Sequence, residues 1–566
     1  MLRQTFTSFL PPLLLSAGAV LVLIPWLFFG FHYSDVGWNA SKALLISTYP
    51  SSAYWELSWL SSMLAGLWMQ CTEVSLLWLR IGYLLCLSGT ICLTYSIFRL
   101  YYRPARTILA LIPALGLYVA GFEQFIPTYY TIPPLFALAS MYFLLKSVRS
   151  DAGNRWALHS FLSGLFFSAM IQARFPSGIL GLVFIAVAFI EMRHGRPFAG
   201  VVQRLIWNLA GLIAGTAIIT LLLYLSGNLE YALRGIARTF VDVSSYDGVD
   251  NIHHPARLLA DTAIRWGKVG VAMLLAIVGG YGWKRWCPEQ IAESRWLVPL
   301  LLLIPVLFLT FLLDGMGPLP MTLGTALVLL LSVPLWSIDR EKLQLYAVAL
   351  GYLVLMNLGS SNPSTGSMKY TALLILPLAL LESRNPFSRT LPIPMLRTLV
   401  CVLIGVMFVM SRFVYHGDIL EATETFDLPV LSSVYGKAED VSQVQAVVKA
   451  MEGGGLQAGD TTLCYVDIPI FHFVTGTIPA LRNPWISDRS VGVPSLARVR
   501  SLMMRSAREG TLPKFVVRAQ TVQSSEEYST EKLLFLDSLW LAEGYDTLLQ
   551  TGRFTVLVRP SREGEK

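Results

Sequence analysis

The sequence predicts a polytopic α-helical membrane protein with about 13 transmembrane helices and a C-terminal soluble α/β domain. Three observations lead to this fold class. Hydrophobic residues make up 54% of the 566-residue chain and charged residues only 14%, whereas soluble globular proteins carry about 25% charged residues. Many apolar stretches approach the length of about 20 residues that a helix needs to cross a bilayer. Lysine and arginine fall in alternate loops between these stretches, which orients the helices.

The predicted spans follow the apolar stretches of the chain. They cover residues 9–31, 76–98, 107–122, 128–147, 157–172, 176–191, 205–226, 268–283, 296–313, 321–337, 343–358, 369–382 and 396–413. A break at Arg174-Phe175-Pro176 separates the fifth span from the sixth, because proline lacks the amide donor that a continuing helix needs.

The basic residues support this topology. With a cytoplasmic N-terminus, every inside loop carries Lys or Arg. These residues are Arg99, Arg103, Arg106, Lys146, Arg149, Arg155, Arg193, Arg196, Arg204, Lys284, Arg285, Arg295, Arg340, Lys342, Arg384, Arg389 and Arg397. The net charge of +7 therefore orients spans, and no nucleic-acid partner is expected. The outside holds the 32–75, 227–267 and 359–369 loops, the turns at Glu123, Arg174 and Asp314, and everything after about residue 414.

The chain divides into two predicted domains. Residues 1–413 form the transmembrane domain, whose first outer loop, 32–75, is expected to lie along the membrane surface with helices at 38–48 and 54–69. Residues 414–566 form a periplasmic, or extracytoplasmic, α/β domain. Its helices are predicted at 439–451, 495–508 and 526–541, and its strands at 461–466, 514–518 and 554–559.

Two acidic residues are the candidate catalytic residues, because ionisable groups are costly to keep at the end of an apolar segment. Asp35 follows the first span and Glu123 lies in the second outer turn. A carboxylate at Asp35 can act as a general base for a substrate at the membrane surface. Two structural alternatives stay open: Asp35 as the N-cap of the following helix, and Glu123 as a solvated turn residue.

Basic residues at the outer surface are the candidate substrate-binding residues. Arg174 lies between two apolar runs, where its guanidinium suits a phosphate that it can bind bidentately. Lys369 and Tyr370 open a predicted span from the outside and form a second candidate phosphate contact. The alternatives are an arginine whose charge reaches the lipid headgroups and an interfacial anchor.

The 227–267 loop combines His253 and His254 with aspartates and arginines. Such a cluster makes a divalent cation a candidate cofactor. The spacing matches no recognised metal motif, and the six cysteines contain no CxxC pair, so no residue is assigned as a metal ligand. A loop covering the substrate cavity is the alternative, in which His253 and His254 contact substrate.

Several segments together resemble the GT-C class of integral-membrane glycosyltransferases, in particular the branch of the protein O-mannosyltransferases and aminoarabinose transferases. They are Ser34-Asp35-Val36-Gly37-Trp38, Leu79-Arg80, the acidic second outer turn with Tyr129-Tyr130-Thr131-Ile132-Pro133-Pro134, Leu162-Ser163-Gly164-Leu165 with Arg174-Phe175-Pro176, Cys464-Tyr465-Val466-Asp467 and Phe473-Val474-Thr475-Gly476. The likeness covers most of residues 9–200 and the overall layout.

The resemblance implies a GT-C-like fold and an inverting transfer from a polyprenyl-phosphate-linked sugar donor at the outer face of the membrane. Asp35 would be the base, Glu123 would stand near the second acidic position, and Arg174 and Lys369 would bind the lipid phosphate. The chain departs from the family at Val36, where a second acid often follows, and at Tyr130, where an Asp often opens the fourth span. We retain Tyr130 as a substrate-binding candidate.

The resemblance further implies a bacterial inner membrane location, a lipid-linked donor and membrane lipid as partners, and an acceptor that the residues do not identify. Two alternatives stay open. One is a transporter or flippase for a lipid-linked substrate, although the ionisable candidates cluster at the outer surface and no internal repeat is evident. The other is a non-catalytic GT-C-like protein that binds lipid in the same cavity.

Overall fold

The computed structural model describes most of the chain outside its central third. The described residues are 2–55, 57–120, 125–150, 155–244, 339–355, 368–381, 419–484, 486, 496–520 and 534–560. Four predicted spans, at 268–283, 296–313, 321–337 and 396–413, lie outside these ranges.

The helices of the membrane part agree closely with the apolar stretches. They are α1 (Leu2–Phe28), α2 (Asp35–Thr48), α3 (Trp59–Cys71), α4 (Leu76–Arg99), α5 (Pro104–Ala120), α6 (Ile132–Arg149), α7 (Arg155–Ala173), α8 (Gly181–Arg193), α9 (Phe198–Leu225), α10 (Leu229–Ser244), α11 (Arg340–Leu355) and α12 (Met368–Leu381). Among the described residues, four segments are long and apolar enough to cross a membrane, namely Leu10–Phe28, Leu76–Arg99, Phe175–Arg193 and Phe198–Leu225. The protein is thus a multi-pass membrane protein, and the number of 13 transmembrane helices stays a prediction.

The break predicted near Pro176 is present. Helix α7 ends at Ala173, and Phe175–Leu180 forms a 3-10 turn that leads into α8. The amide of Phe175 donates to the carbonyl of Leu57 at 2.9 Å, so the first outer loop provides the partner that the interrupted helix lacks. This contact ties the break to the first outer loop.

The C-terminal domain has the predicted α/β character. Its main sheet has the order β4-β3-β5-β7-β6, with β3 (Thr461–Tyr465), β4 (Ile478–Pro479), β5 (Phe515–Ala519), β6 (Asp546–Gln550) and β7 (Phe554–Val558). Strands β3, β4 and β5 are parallel, and β7 runs antiparallel to both of its neighbours. The helices are α13 (Ala438–Gly453), α14 (Ile470–Thr475), α15 (Leu496–Glu509) and α16 (Leu534–Ala542), and β1 (Ala422–Thr425) pairs separately with β2 (Tyr435–Lys437).

The first outer loop packs on this domain. Phe31, Tyr33 and Val36 belong to the same buried hydrophobic cluster as Phe471 and Phe554 of the C-terminal domain. The sequence predicts that this loop lies along the membrane surface. In the structure, one face of the loop packs against the C-terminal domain. The cluster therefore joins the start of α2 to the C-terminal domain through a common core.

Gly37 is the point of closest approach between α2 and the C-terminal domain. A Cβ atom added there would lie 2.4 Å from the amide nitrogen of Ile470 and 2.6 Å from its Cα. We expect Gly37→Ala to destabilise the protein by about 1–3 kcal/mol, because backbone atoms cannot move aside as a flexible side chain can. Thermal unfolding of the purified protein measures this. The control is Gly200→Ala in α9, where an added Cβ has no atom within 4 Å; equal midpoints for the two variants would contradict the close approach.

Candidate functional site

Asp35 is the first residue of α2, at the point where the chain leaves the first span. Ser34 occupies the N-cap position and makes no side-chain capping bond. The amide of Asp35 donates to Nδ1 of His32 at 3.2 Å, and the residue is partly exposed. The alternative that assigned Asp35 as the N-cap is therefore wrong, because Asp35 already lies inside the helix. A carboxylate in the first turn is favoured by the helix dipole.

A lysine lies on the same face of α2 as Asp35, since residues three, four and seven apart share a helix face. Lys42 is fully buried. Its Nζ lies 4.0 Å from the centroid of the Trp38 ring and 5.9 Å from that of Tyr129, an arrangement worth about 0.5–2 kcal/mol. Sequence reasoning missed Lys42. The available signal was that it is the only Lys or Arg in the first outer loop and follows Asp35 by two helical turns.

The turn before α6 forms an aromatic wall beside this face. Tyr129 meets Trp38 edge to face, with ring centroids 5.8 Å apart, and Tyr130 packs on Tyr129 at 4.1 Å. The amide of Tyr130 donates to the hydroxyl of Thr128 at 3.1 Å, which fixes the turn. The predicted substrate-binding residue Tyr130 therefore lies next to the helix that carries Asp35.

Arg174 is buried directly after the C-terminal end of α7, where it precedes the 3-10 turn. The residue is 5% exposed, and within the described ranges its guanidinium makes no hydrogen bond or ion pair. Helix α11 packs against this 3-10 turn, and the hydroxyl of its fully buried Tyr352 likewise has no hydrogen-bond partner among the described residues. A buried unpaired cation is costly, and an anionic ligand would offset that cost.

One hydrophobic cluster brings the elements of these candidates together. Leu45 of α2, Trp59 at the start of α3, Ile132 at the start of α6 and Ala173 at the end of α7 all belong to it. The hydroxyl of Ser61 also donates to the carbonyl of Ala173 at 2.9 Å. Asp35, Tyr130 and Arg174 are therefore carried by elements that share one core.

Arg80 joins α4 to the end of α1 and the start of the first outer loop. Its guanidinium is buried and donates to the carbonyl of Leu27 at 2.7 Å and to that of Gly30 at 2.5 Å. The first carbonyl belongs to the last turn of α1 and the second to the residues that follow the helix. Arg80 therefore satisfies acceptors that have no hydrogen-bond partner within the helix. The Leu79-Arg80 motif thus has a structural role.

The other predicted residues are described only in part or not at all. Lys369 and Tyr370 lie in the first turn of α12. Glu123, His253 and His254 lie outside the described residues, so their roles stay predictions. Among the residues that the structure does describe, no group of three or more His, Cys, Asp or Glu could hold a metal ion. A divalent cation stays a prediction that rests on the 227–267 loop.

His472 makes the C-terminal domain sensitive to acid. It is buried in α14, its Nδ1 lies 3.2 Å from the hydroxyl of Thr477, and burial lowers the pKa of His472 to about 3. The unfolded chain takes up this proton near the ordinary value of about 6.5. The contribution of the neutral imidazole to the free energy of unfolding is therefore fully present above about pH 6.5. It falls by up to about 1.4 kcal/mol per pH unit as the pH drops toward 3.

We expect the thermal midpoint of His472→Gln to fall less between pH 7.5 and 5 than that of the wild type. Parallel pH profiles would contradict this.

No protein-family model matches the chain, and no curated protein matches its sequence. Among solved structures, it is similar to ArnT from Cupriavidus metallidurans bound to undecaprenyl phosphate, at 12% identity and a TM-score of 0.41, with 97% of this chain and 98% of that chain covered. The same ArnT in the apo state gives 13% identity and a TM-score of 0.38, with 97% of each chain covered.

An oligosaccharyltransferase of Archaeoglobus fulgidus, solved in complex with zinc and sulfate, is a further similar structure. It has 12% identity and a TM-score of 0.47, and the match covers 87% of this chain and 64% of that chain. The ArnT and the oligosaccharyltransferase are GT-C glycosyltransferases, the class that the sequence resembles.

Proposed function

We propose that this protein is a glycosyltransferase that moves a sugar from a polyprenyl-phosphate-linked donor to an acceptor at the outer face of the membrane. The observation that carries the proposal is the buried Arg174, whose guanidinium has no protein partner in the described part of the chain. A phosphate that enters from the bilayer would pair with this guanidinium, since a guanidinium binds phosphate through paired N–H donors. The hydroxyl of Tyr352 would add a neutral donor to the same anion.

Asp35 is the proposed base of an inverting transfer. It is partly exposed at the start of α2, where an acceptor from the outer side can reach it. A base within about 2.6–3.2 Å of the acceptor hydroxyl takes its proton as the new glycosidic bond forms. The lipid phosphate leaves from the opposite face of the sugar, and nearby cations stabilise its developing charge.

The position of Lys42 on α2 suits this reaction, because Lys42 lies on the same face of the helix as Asp35, two turns further along. In an inverting displacement, a cation beside the leaving phosphate stabilises the charge that develops on it. The ammonium of Lys42 is then a cation for the leaving phosphate, and Tyr130 with Tyr129 forms an apolar wall for the sugar ring.

The remaining predicted residues complete the proposal. Lys369 and Tyr370 would approach the phosphate from the outer end of α12. His253 and His254 would contact the substrate from the 227–267 loop, and a divalent cation there would be an accessory. The proposed location is the bacterial inner membrane, with the C-terminal domain on the periplasmic side.

A donor panel tests the proposed function. The purified protein in proteoliposomes receives a radiolabelled sugar on polyprenyl monophosphate, on polyprenyl pyrophosphate or on a nucleotide, together with a membrane extract as the source of acceptors. The proposal predicts transfer of label from the polyprenyl monophosphate donor alone. Transport of the labelled lipid across the vesicle membrane without transfer would instead establish a flippase, and binding without either would establish a non-catalytic lipid-binding protein.

Replacement of Lys42 by methionine tests the assigned cation. We expect Lys42→Met to lower kcat for transfer about 10- to 100-fold, because one charge-assisted hydrogen bond to the leaving phosphate is worth about 1.5–3 kcal/mol. The matched control is Lys449→Met, since Lys449 is exposed on α13 and its loss should leave kcat unchanged. Equal kcat values for the two folded variants would remove Lys42 from the mechanism.

A further inference from the structure

Three side chains join the loop before Asp35 to the C-terminal domain. The hydroxyl of Tyr33 donates to Oδ1 of Asp440 at 3.1 Å, and the guanidinium of Arg553 donates to the same carboxylate oxygen. Arg553 also lies over the ring of Tyr33, 4.3 Å from its centroid. The side chains of Asp440 and Arg553 are only 10% and 14% exposed, so solvent screens this ion pair less than a surface pair. We call Tyr33, Asp440 and Arg553 the clamp.

A second set of contacts lies on the other side of Asp35. The amide of Ile470 donates to the carbonyl of Tyr33 at 3.1 Å, and the hydroxyl of Ser41 donates to the carbonyl of Pro469 at 2.8 Å. Gly37 lies against the backbone of Ile470. The start of α14 is thus bonded to the chain two residues before Asp35 and six residues after it.

The first outer loop is also attached where it leaves the membrane. The amide of Gly30 donates to the carbonyl of Tyr435 at 3.0 Å, and the ring of Phe29 stacks on that of Tyr435 at 5.3 Å. Three parts of the C-terminal domain, distant in sequence, therefore converge on residues 29–41. This is more contact than is needed to keep the domain near the membrane, because the chain connection already does that.

We propose that Asp440 and Arg553 are positioning residues for Asp35, which act through Tyr33, so that the C-terminal domain holds the base of the reaction in place. This inference rests on the proposed function. The clamp touches neither the donor nor the acceptor, and its effect is on the position of the carboxylate two residues away. A displacement of about 1 Å at a reacting group costs about 100-fold in rate, so a contact that fixes the backbone at Tyr33 has a direct effect on turnover.

The chemistry of the clamp supports a fixed geometry. Burial and the charge of Asp440 raise the pKa of Tyr33 above its ordinary value, so the phenol keeps its proton and remains a donor. Asp440 accepts from both the phenol and the guanidinium, and Arg553 is held between the carboxylate and the aromatic ring. Removal of any one of the three side chains takes a hydrogen-bond or ion-pair partner away from a buried polar group of another, which is unfavourable.

Kinetics of clamp variants form the first part of the test. We expect Arg553→Gln and Tyr33→Phe to lower kcat about 10- to 100-fold per folded molecule while KM for the lipid donor changes less than threefold. Arg553→Lys should recover at least half of the lost rate, because a lysine keeps the charge beside Asp440. The matched control is Arg518→Gln, which breaks the ion pair between Arg518 of β5 and Asp537 of α16 in the same domain and should leave kcat unchanged.

Hydrogen–deuterium exchange forms the second part, and it does not depend on activity. In Arg553→Gln, the amides of residues 30–41 should exchange faster than in the wild type, whereas in Arg518→Gln they should not. Unchanged exchange in this segment would overturn the clamp even if the wild type transfers sugar. Faster exchange together with an inactive wild type would support the clamp and overturn the proposed function instead.

Combination with the base variant separates positioning from general stability. In an Asp35→Asn background, Arg553→Gln should lower the residual rate less than twofold, because there is no longer a base to position. A further loss as large as in the wild-type background would overturn the inference and show that Arg553 only stabilises the fold.

Discussion

Asp35→Asn is expected to lower the rate of sugar transfer by about 100- to 10,000-fold, the range that a general base contributes. The amide has nearly the shape of the carboxylate but does not take up the acceptor proton. Binding of the lipid donor should stay within threefold of the wild type, because the phosphate contacts assigned to Arg174 and Lys42 are untouched. Single-turnover transfer and donor binding, measured on the same proteoliposomes, give the two values separately.

The control for this variant is Asp427→Asn, because Asp427 is an exposed carboxylate of the C-terminal domain. Its rate should equal that of the wild type. If Asp35→Asn also transfers at the wild-type rate, Asp35 is not the base, and Glu123 becomes the candidate. If Asp35→Asn loses donor binding as well as rate, the carboxylate acts in binding and the assigned role is wrong.

Arg174→Met is expected to weaken donor binding about 10- to 100-fold, since a hydrogen bond to a charged group is worth about 1.5–3 kcal/mol. The same change should leave the ligand-free protein as stable as the wild type or more stable. A buried cation without a partner is costly, and the unbranched thioether fills a similar volume without that cost. Thermal unfolding with and without polyprenyl phosphate measures both effects.

The control is Arg234→Met on α10, where the arginine is exposed and paired with Glu230. Its donor-dependent stabilisation should match that of the wild type. A ligand-free Arg174→Met protein that is strongly destabilised would show that Arg174 has a structural partner and was not kept for a ligand. Undiminished stabilisation by polyprenyl phosphate in this variant would exclude Arg174 from the lipid phosphate site.

The membrane helices could be predicted because apolar length and loop charge dominate their placement. A segment in lipid must satisfy its backbone groups internally, so a long apolar stretch becomes a helix with few alternatives. The predicted span 76–98 is α4, Leu76–Arg99, and the break before Pro176 falls at Arg174. The same reasoning placed Asp35 next to the start of an outer helix. Only the backbone geometry shows that Asp35 is the first residue inside that helix.

The contacts around the site could not be predicted from the sequence. Lys42 carries a charge, and lysine is almost never fully buried, so only the fold reveals its position beside Trp38. The clamp joins Tyr33 to Asp440 and Arg553 across several hundred residues, and neither helical nor strand periodicity encodes such a pairing. Short strands such as β4, with two residues, leave too little pattern to recognise.

The most direct test of the central claim is the anomeric configuration of the product. The donor is a polyprenyl-phosphate sugar labelled with ¹³C at the anomeric carbon, and the wild-type protein in proteoliposomes converts it in the presence of acceptor. The one-bond carbon–hydrogen coupling of the labelled carbon reports its configuration. A single displacement with Asp35 as base predicts label in the acceptor with the configuration opposite to that of the donor. Label in the acceptor with the donor's own configuration would contradict an inverting mechanism, and label that stays on the lipid would contradict the transferase itself.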